Sequence, residues 1–174
     1  SLMKLFRGYM QNKFVELVEN NVKVVFLGDP SPIARDISGQ MKKLERATKD
    51  NDGLTLNIAL NYGGRDEIVR AAQKFSMDTL TGKETPKDLT IEKFENYLDT
   101  KNQPSPDLIL RTAGQQRISN FLLWQMAYSE MYFTATTWPD FSIKELNTVI
   151  LEFKGRERTF GGNSAINQKA IFNL

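Results

Sequence analysis

The chain contains no cysteine and no histidine. The first absence excludes disulfides, thiolate nucleophiles and cysteine-based zinc sites. The second excludes the commonest general base, any Ser-His-Asp triad and any HExxH metal site. Chemistry in this chain therefore falls to carboxylates, arginines, hydroxyls and amides, with a hard, oxygen-liking metal as the natural helper. That narrowing leans toward phosphate or diphosphate handling, where positioning and electrostatics replace covalent catalysis. Charge of one sign is scarce too. The 23 Lys and Arg against 21 Asp and Glu leave a formal net charge of +2, so no nucleic-acid partner is indicated. Local clusters, Lys42-Lys43 and Arg156 to Arg158, matter more than the total. No apolar run approaches the roughly 20 residues of a membrane span. The stretch Ser1 to Arg7 lacks signal-peptide organisation. These absences together predict a cytoplasmic location.

What is present reads as a globular α/β domain. With 40% hydrophobic and 25% charged residues over 174 positions, the chain can bury a sizeable core. Apolar residues from Leu2 to Val18 recur at three- and four-residue spacing, which predicts an amphipathic helix ended by Glu19-Asn20-Asn21. Val22 to Leu27 reads as a buried strand stopped by Gly28-Asp29-Pro30. Ser31-Pro32 then opens a helix running to about Asp50. After the Asn51-Asp52-Gly53 turn come a strand over Leu54 to Leu60 and a helix from Asp66 to about Phe75. A polar loop over 80–90 leads to a short helix, Thr90 to about Leu98, capped by Thr90 with Lys93 and Glu95 exposed. Asp107 to Leu110 is a third strand, Ile118 to about Tyr128 is read as helical, and Met131 to Thr134 is a fourth strand. Ser142 to about Gly155 is the last helix. Strands alternating with helices predict a single domain with a mainly parallel central sheet flanked by helices.

Open α/β sheets place ligands beyond the carboxyl ends of their strands, and two segments fall there. Asn61-Tyr62-Gly63-Gly64-Arg65 suits an anion-binding turn at a helix start, and equally a plain glycine turn with a solvated arginine. In Arg111 to Asn120, two arginines six positions apart, Arg111 and Arg117, flank a glycine and are followed by Ser119. Guanidinium forks and a hydroxyl in that order can wrap one diphosphate, although two surface arginines in a loop would look the same. Phe121-Leu122-Leu123-Trp124 reads as core. Glu130, flanked by aromatic and apolar residues, is either exposed on a strand edge or held by a partner such as an arginine or a metal. Gly155 to Gly162 reads as a helix end with a flexible basic tail.

Long stretches of this chain resemble the cis-prenyltransferases of the undecaprenyl diphosphate synthase type. They are Gly53 to Arg65, Asp107 to Thr112, Arg117 to Gln125, and Ala127-Tyr128-Ser129-Glu130 through Trp138-Pro139-Asp140-Phe141. They occur in family order, and the resemblance runs to Gly162, giving a domain over 1–162 and a tail over 163–174. It implies that isopentenyl diphosphate is added to an allylic diphosphate such as farnesyl diphosphate. It further implies that Arg111, Arg117 and Ser119 hold the isopentenyl diphosphate and that Glu130 helps bind Mg2+. Leu2, Leu5, Phe6 and Leu54 match the lining of the family's product tunnel, and their spacing equally suits core packing. A homodimer is implied, with peripheral membrane contact for release of a lipid product.

The chain also departs from the family pattern. Family members carry a strand and loop reading Asp-Gly-Asn-Gly-Arg, whose aspartate is the other catalytic carboxylate, and then Phe-Ser-x-Glu-Asn-Trp. Neither occurs within these 174 residues. Gln115 stands where the family usually has glutamate, and Thr159 where an arginine usually precedes Phe-Gly-Gly. The expectation is that the 174-residue form has no turnover alone. The alternative is a non-catalytic binding subunit that pairs with an active partner.

Overall fold

The computed structural model describes residue 8 and residues 13–156. The chain forms two compact units, Ser1–Gln103 and Pro104–Leu174. Each contains one parallel strand pair with helices, the α/β class that the alternation predicts.

In the first unit, residues 13–19 are helical, followed by β1 (Lys23–Leu27) and α1 (Arg35–Ala47). Then come β2 (Thr55–Ala59), α2 (Gly64–Leu80), a 3-10 turn (Pro86–Asp88) and the short α3 (Ile91–Glu95). β1 and β2 pair in parallel, from Lys23 opposite Thr55 to Leu27 opposite Ala59. Ile37, Met41 and Leu44, at four- and three-residue spacing on α1, bury themselves against Val24 of β1. This is the helical stripe meeting the strand face.

α1 is shorter than its apolar pattern suggests. At its start, the Asp29 carboxylate accepts the Ser31 N–H and hydroxyl at 2.9 and 2.7 Å, so residues 29–31 are spent in a turn. At its end, the Thr48 hydroxyl donates to the Leu44 carbonyl at 2.9 Å and accepts the Val24 N–H at 3.1 Å. Thr48 thus ties the helix end to β1. The outward N–H groups of β1, and that of Gly28 just after it, are taken by side chains. Val24 N–H goes to Thr48, Phe26 N–H to Glu45 Oε1 at 3.0 Å, and Gly28 N–H to Asp99 Oδ2 at 3.0 Å.

α2 runs longer than predicted at both ends: the Gly63 carbonyl accepts the Glu67 N–H at 2.9 Å at its start, and the Thr79 and Thr81 hydroxyls hold the carbonyls of Phe75 and Met77 at its last turn. Thr90 caps α3 as expected, accepting the Lys93 N–H at 3.2 Å. Lys93 and Glu95 are half-buried rather than exposed. The reason for Lys93 is its 2.7 Å ion pair with Glu84. Leu54 lies outside any core at 69% exposure.

The second unit holds β3 (Leu108–Arg111), β4 (Glu130–Phe133), a 3-10 turn (Trp138–Asp140) and α4 (Ile143–Lys154). β3 and β4 are parallel, from Leu108 opposite Glu130 to Arg111 opposite Phe133. The helix expected over Ile118 to Tyr128 does not form. Ser119, Asn120 and Leu122 adopt φ of 51°, 63° and 45°, a left-handed backbone that breaks an α-helix. The segment is a chain of turns, in which Phe121 is 40% exposed and Leu122 to Trp124 are half-buried. Ser142 caps α4 by accepting the Glu145 N–H at 3.2 Å. Among the described residues, no helix is long and apolar enough to cross a membrane.

Candidate functional site

Arg111, Arg117 and Ser119, three of the polar residues singled out from sequence, come together at the carboxyl end of β3. Arg111 is the last residue of that strand. The chain then turns through Ala113 and Gly114, at φ 62° and 67°. Their N–H groups donate to the carbonyls of Thr136 and Thr134, both at 2.8 Å. That left-handed pair swings the loop back, so Arg111 Nη1 donates to the Arg117 carbonyl and to Ser119 Oγ at 3.0 Å. Arg111 is half-buried, while Arg117 and Ser119 are exposed. A guanidinium offers five N–H donors in a rigid fork. Arg111 therefore shapes the loop with one nitrogen and keeps further donors for an anion. The bonds thus bring the Arg117 carbonyl and the Ser119 hydroxyl to Arg111 on one loop, and a second guanidinium and a hydroxyl there are groups of the kind that bind a diphosphate.

Glu130 is placed differently. It opens β4 opposite Leu108, three residues from the Phe133–Arg111 pair, or about 10 Å along the strands. Its Oε2 accepts Arg156 Nη1 at 2.9 Å, and the same nitrogen donates to the Met131 carbonyl at 3.0 Å. The partner that a half-buried carboxylate needs is thus an arginine, one the sequence reading left in a basic tail. Among the described residues, no three acidic side chains gather into a metal cage. One carboxylate with a free second oxygen still fits the small protein share of a phosphate-bridged Mg2+.

The turn Asn61 to Arg65 is built into the first unit's own framework. Asn61 donates to the Asp29 carbonyl at 2.9 Å, and the Tyr62 hydroxyl donates to Glu67 Oε2 at 2.5 Å. Glu67, 1% exposed, also accepts the Asp99 N–H at 2.9 Å. Asp99 in turn receives Arg70 through two bonds of 2.9 and 2.7 Å. Burial pushes the Asp99 carboxyl up, but Arg70 and the Gly28 N–H outweigh it and hold it below the usual carboxylate range. Beside this network lies an open cavity of about 1040 Å³, with Arg70, Lys74, Tyr97 and Asp99 in its wall. Sequence reading missed Glu67, Arg70 and Asp99, since nothing local announces a carboxylate that serves residues some 30 to 70 positions away. Of the remaining candidates, Leu2, Leu5, Phe6 and Thr159 lie outside the described residues, and Leu54 is exposed.

Comparison with known proteins identifies the family. A family model described as "Putative undecaprenyl diphosphate synthase" matches residues 1–161. An isoprenyl transferase of Clostridium perfringens is 43% identical over 162 residues, covering 93% of this chain and 64% of that protein. One from Streptococcus pneumoniae is 46% identical over 165 residues, covering 92% and 66%. The chain therefore spans less than two thirds of the length of such relatives. Among solved structures, lavandulyl diphosphate synthase from Lavandula x intermedia, in complex with dimethylallyl diphosphate, superposes with a TM-score of 0.87. It is 34% identical, and the match covers 92% of this chain and 70% of that one. A probable undecaprenyl diphosphate synthase from Campylobacter jejuni gives 0.79 at 35% identity, covering 91% and 72%.

Proposed function

Because this chain belongs to the undecaprenyl diphosphate synthase family, we propose that it serves cis-prenyl transfer, the addition of isopentenyl diphosphate to an allylic diphosphate such as farnesyl diphosphate. The observation that carries this reading is the convergence of Arg111, Arg117 and Ser119 on one loop at a strand's carboxyl end. Arg111 and Arg117 bind the diphosphate of isopentenyl diphosphate through their forks, and Ser119 adds a hydroxyl donor. Holding that diphosphate fixes the distal double bond for attack on the allylic carbon as its C–O bond ionises. Loss of a proton then leaves the new double bond. Glu130 would hold Mg2+, which supplies charge neutralisation on diphosphate oxygens. The full enzyme works as a cytoplasmic homodimer that touches the membrane peripherally to release its lipid product.

Within these 174 residues there is no Asp-Gly-Asn-Gly-Arg segment, so this polypeptide alone binds isopentenyl diphosphate without turning it over. Gln115 in place of the family's glutamate favours a second reading, a binding subunit that acts with a catalytic partner. Calorimetric titration of the 174-residue chain with isopentenyl diphosphate tests the first reading. Saturable binding that Arg111→Ala weakens at least about tenfold, the scale of a charge-assisted pair, is expected. Equal binding by the variant would overturn the assignment of the loop. Adding a catalytically intact relative separates the readings, because only a binding subunit would raise that partner's turnover.

A further inference from the structure

The loop that carries Arg111 and Ser119 is held by the segment that follows β4. Thr134, one residue past that strand, donates its N–H to the Arg111 carbonyl at 2.9 Å. Its own carbonyl accepts the Gly114 N–H at 2.8 Å, and the Thr136 carbonyl accepts the Ala113 N–H at 2.8 Å. Ala113 and Gly114 are the left-handed pair, at φ 62° and 67°. A residue with a Cβ keeps that backbone only where its surroundings over-determine it, and for Ala113 residues 134–136 do so. The Thr134 hydroxyl then ties this segment to α4. It accepts the Thr136 N–H at 3.2 Å and donates to Glu145 Oε1 at 2.6 Å. Glu145 is fixed in turn, since its N–H donates at 3.2 Å to Ser142 Oγ, the cap of α4. Thr134 and Glu145 are both half-buried, and a bond accepted by a carboxylate is stronger than a neutral one.

We propose that Thr134, oriented by Glu145, is a positioning residue for the diphosphate site. A continuous run of hydrogen bonds leads from the start of α4 through Thr134 to the Arg111 carbonyl and to the turn just after it. Thr134 thereby fixes the backbone from which the Arg111 fork projects, and it does so without touching the substrate. Its hydroxyl is the single group that serves both as acceptor within the segment and as donor to the helix. The consequence for ligand affinity rests on the isopentenyl diphosphate reading of this loop, whereas the consequence for the loop backbone does not.

Two measurements on the 174-residue chain test this. Hydrogen exchange reads the loop without ligand. Thr134→Val keeps the shape and loses the hydroxyl, so the Ala113, Gly114 and Thr136 amides should exchange at least about tenfold faster, the scale of one lost charge-assisted bond. Amides within β3 and β4 should change less than about threefold. Thr134→Ser should restore protection, and Glu145→Gln should retain it by keeping a partner for the hydroxyl. Glu145→Ala should mimic Thr134→Val, and it takes the place of that variant should Thr134→Val fail to fold. Calorimetric titration with isopentenyl diphosphate should then show affinity reduced about three- to tenfold in Thr134→Val and recovered in Thr134→Ser. Unchanged protection in Thr134→Val, or no recovery in Thr134→Ser, overturns the positioning role. Full affinity in Thr134→Val beside a loss in Arg111→Ala also overturns it, while the reading of the loop stands. Equal affinity in the wild type and Arg111→Ala sinks that reading instead, and the exchange rates alone then decide whether Thr134 sets the loop.

Discussion

Arg156 Nη1 spans Glu130 Oε2 at 2.9 Å and the Met131 carbonyl at 3.0 Å, so one guanidinium nitrogen fixes both the side chain and the backbone that open β4. The bond to Glu130 engages only Oε2 of the carboxylate. Glu130→Gln should abolish the gain in isopentenyl diphosphate affinity that Mg2+ confers, while metal-free binding changes less than about threefold. Titrations with and without Mg2+ check this. An unchanged Mg2+ dependence would remove Glu130 from the metal's surroundings.

Ser119 and Arg111 should differ in weight. Ser119→Ala deletes a neutral donor and should weaken isopentenyl diphosphate binding by only about three- to tenfold. Arg111→Lys keeps the charge but loses the fork, and so should recover little of the affinity lost in Arg111→Ala. Calorimetry on the three variants checks the order. Full recovery by lysine would mean that the fork geometry is irrelevant.

Removing Arg70 would leave Asp99, at 12% side-chain exposure, with the Gly28 N–H and a distant Lys74. Arg70→Ala should cost about 2 kcal/mol, below the usual range for a fully buried pair because Arg70 is partly solvated. Urea unfolding monitored by circular dichroism reads this directly.

Acid should act through the same carboxylate. The folded-state value for Asp99 lies below its unfolded value, so its stabilisation is complete above about pH 4. It is lost as pH falls through the folded value. In a pH series of urea midpoints, Asp99→Asn should be less stable near pH 7 and show a shallower acid limb. Parallel acid limbs would show that Asp99 carries no linked proton.

Gly28 sits at φ +113°, and a Cβ there would collide with the Leu60 carbonyl oxygen. Gly28→Ala should therefore destabilise the chain by at least about 2 kcal/mol through backbone strain and the clash. Leu44→Ala in the core should cost about 2–5 kcal/mol. Both are read from the same unfolding curves.

Much of the scaffold was legible because its signals are local. Each strand is a short apolar run closed by turn residues, and β1 to β4 fall within about two residues of the runs from Val22, Leu54, Asp107 and Met131. The exception is instructive. Phe121-Leu122-Leu123-Trp124 has the apolar content of a helix, but Ser119-Asn120 ahead of it tolerates left-handed backbone, and the Arg111 loop uses that tolerance. The pairing of Arg111 with Ser119 was readable because both lie on one loop. The Glu130–Arg156 pair was half-readable, since the sequence left Glu130 open between exposure on a strand edge, an arginine and a metal, and pointed to no particular arginine. Asp99 was silent, because its meaning lies in Gly28, Glu67 and Arg70, which only folding brings near it.

Thr48, Glu45 and Asp99 together occupy the N–H groups that β1 and the following Gly28 turn away from β2. A strand from another molecule arriving on that side would find no free donor and would have to displace three side chains, one of them in an ion pair. The donors on the β1 side are thus closed to edge-to-edge pairing, and the closure is made of polar side chains that also hold the end of α1 and the Arg70 ion pair.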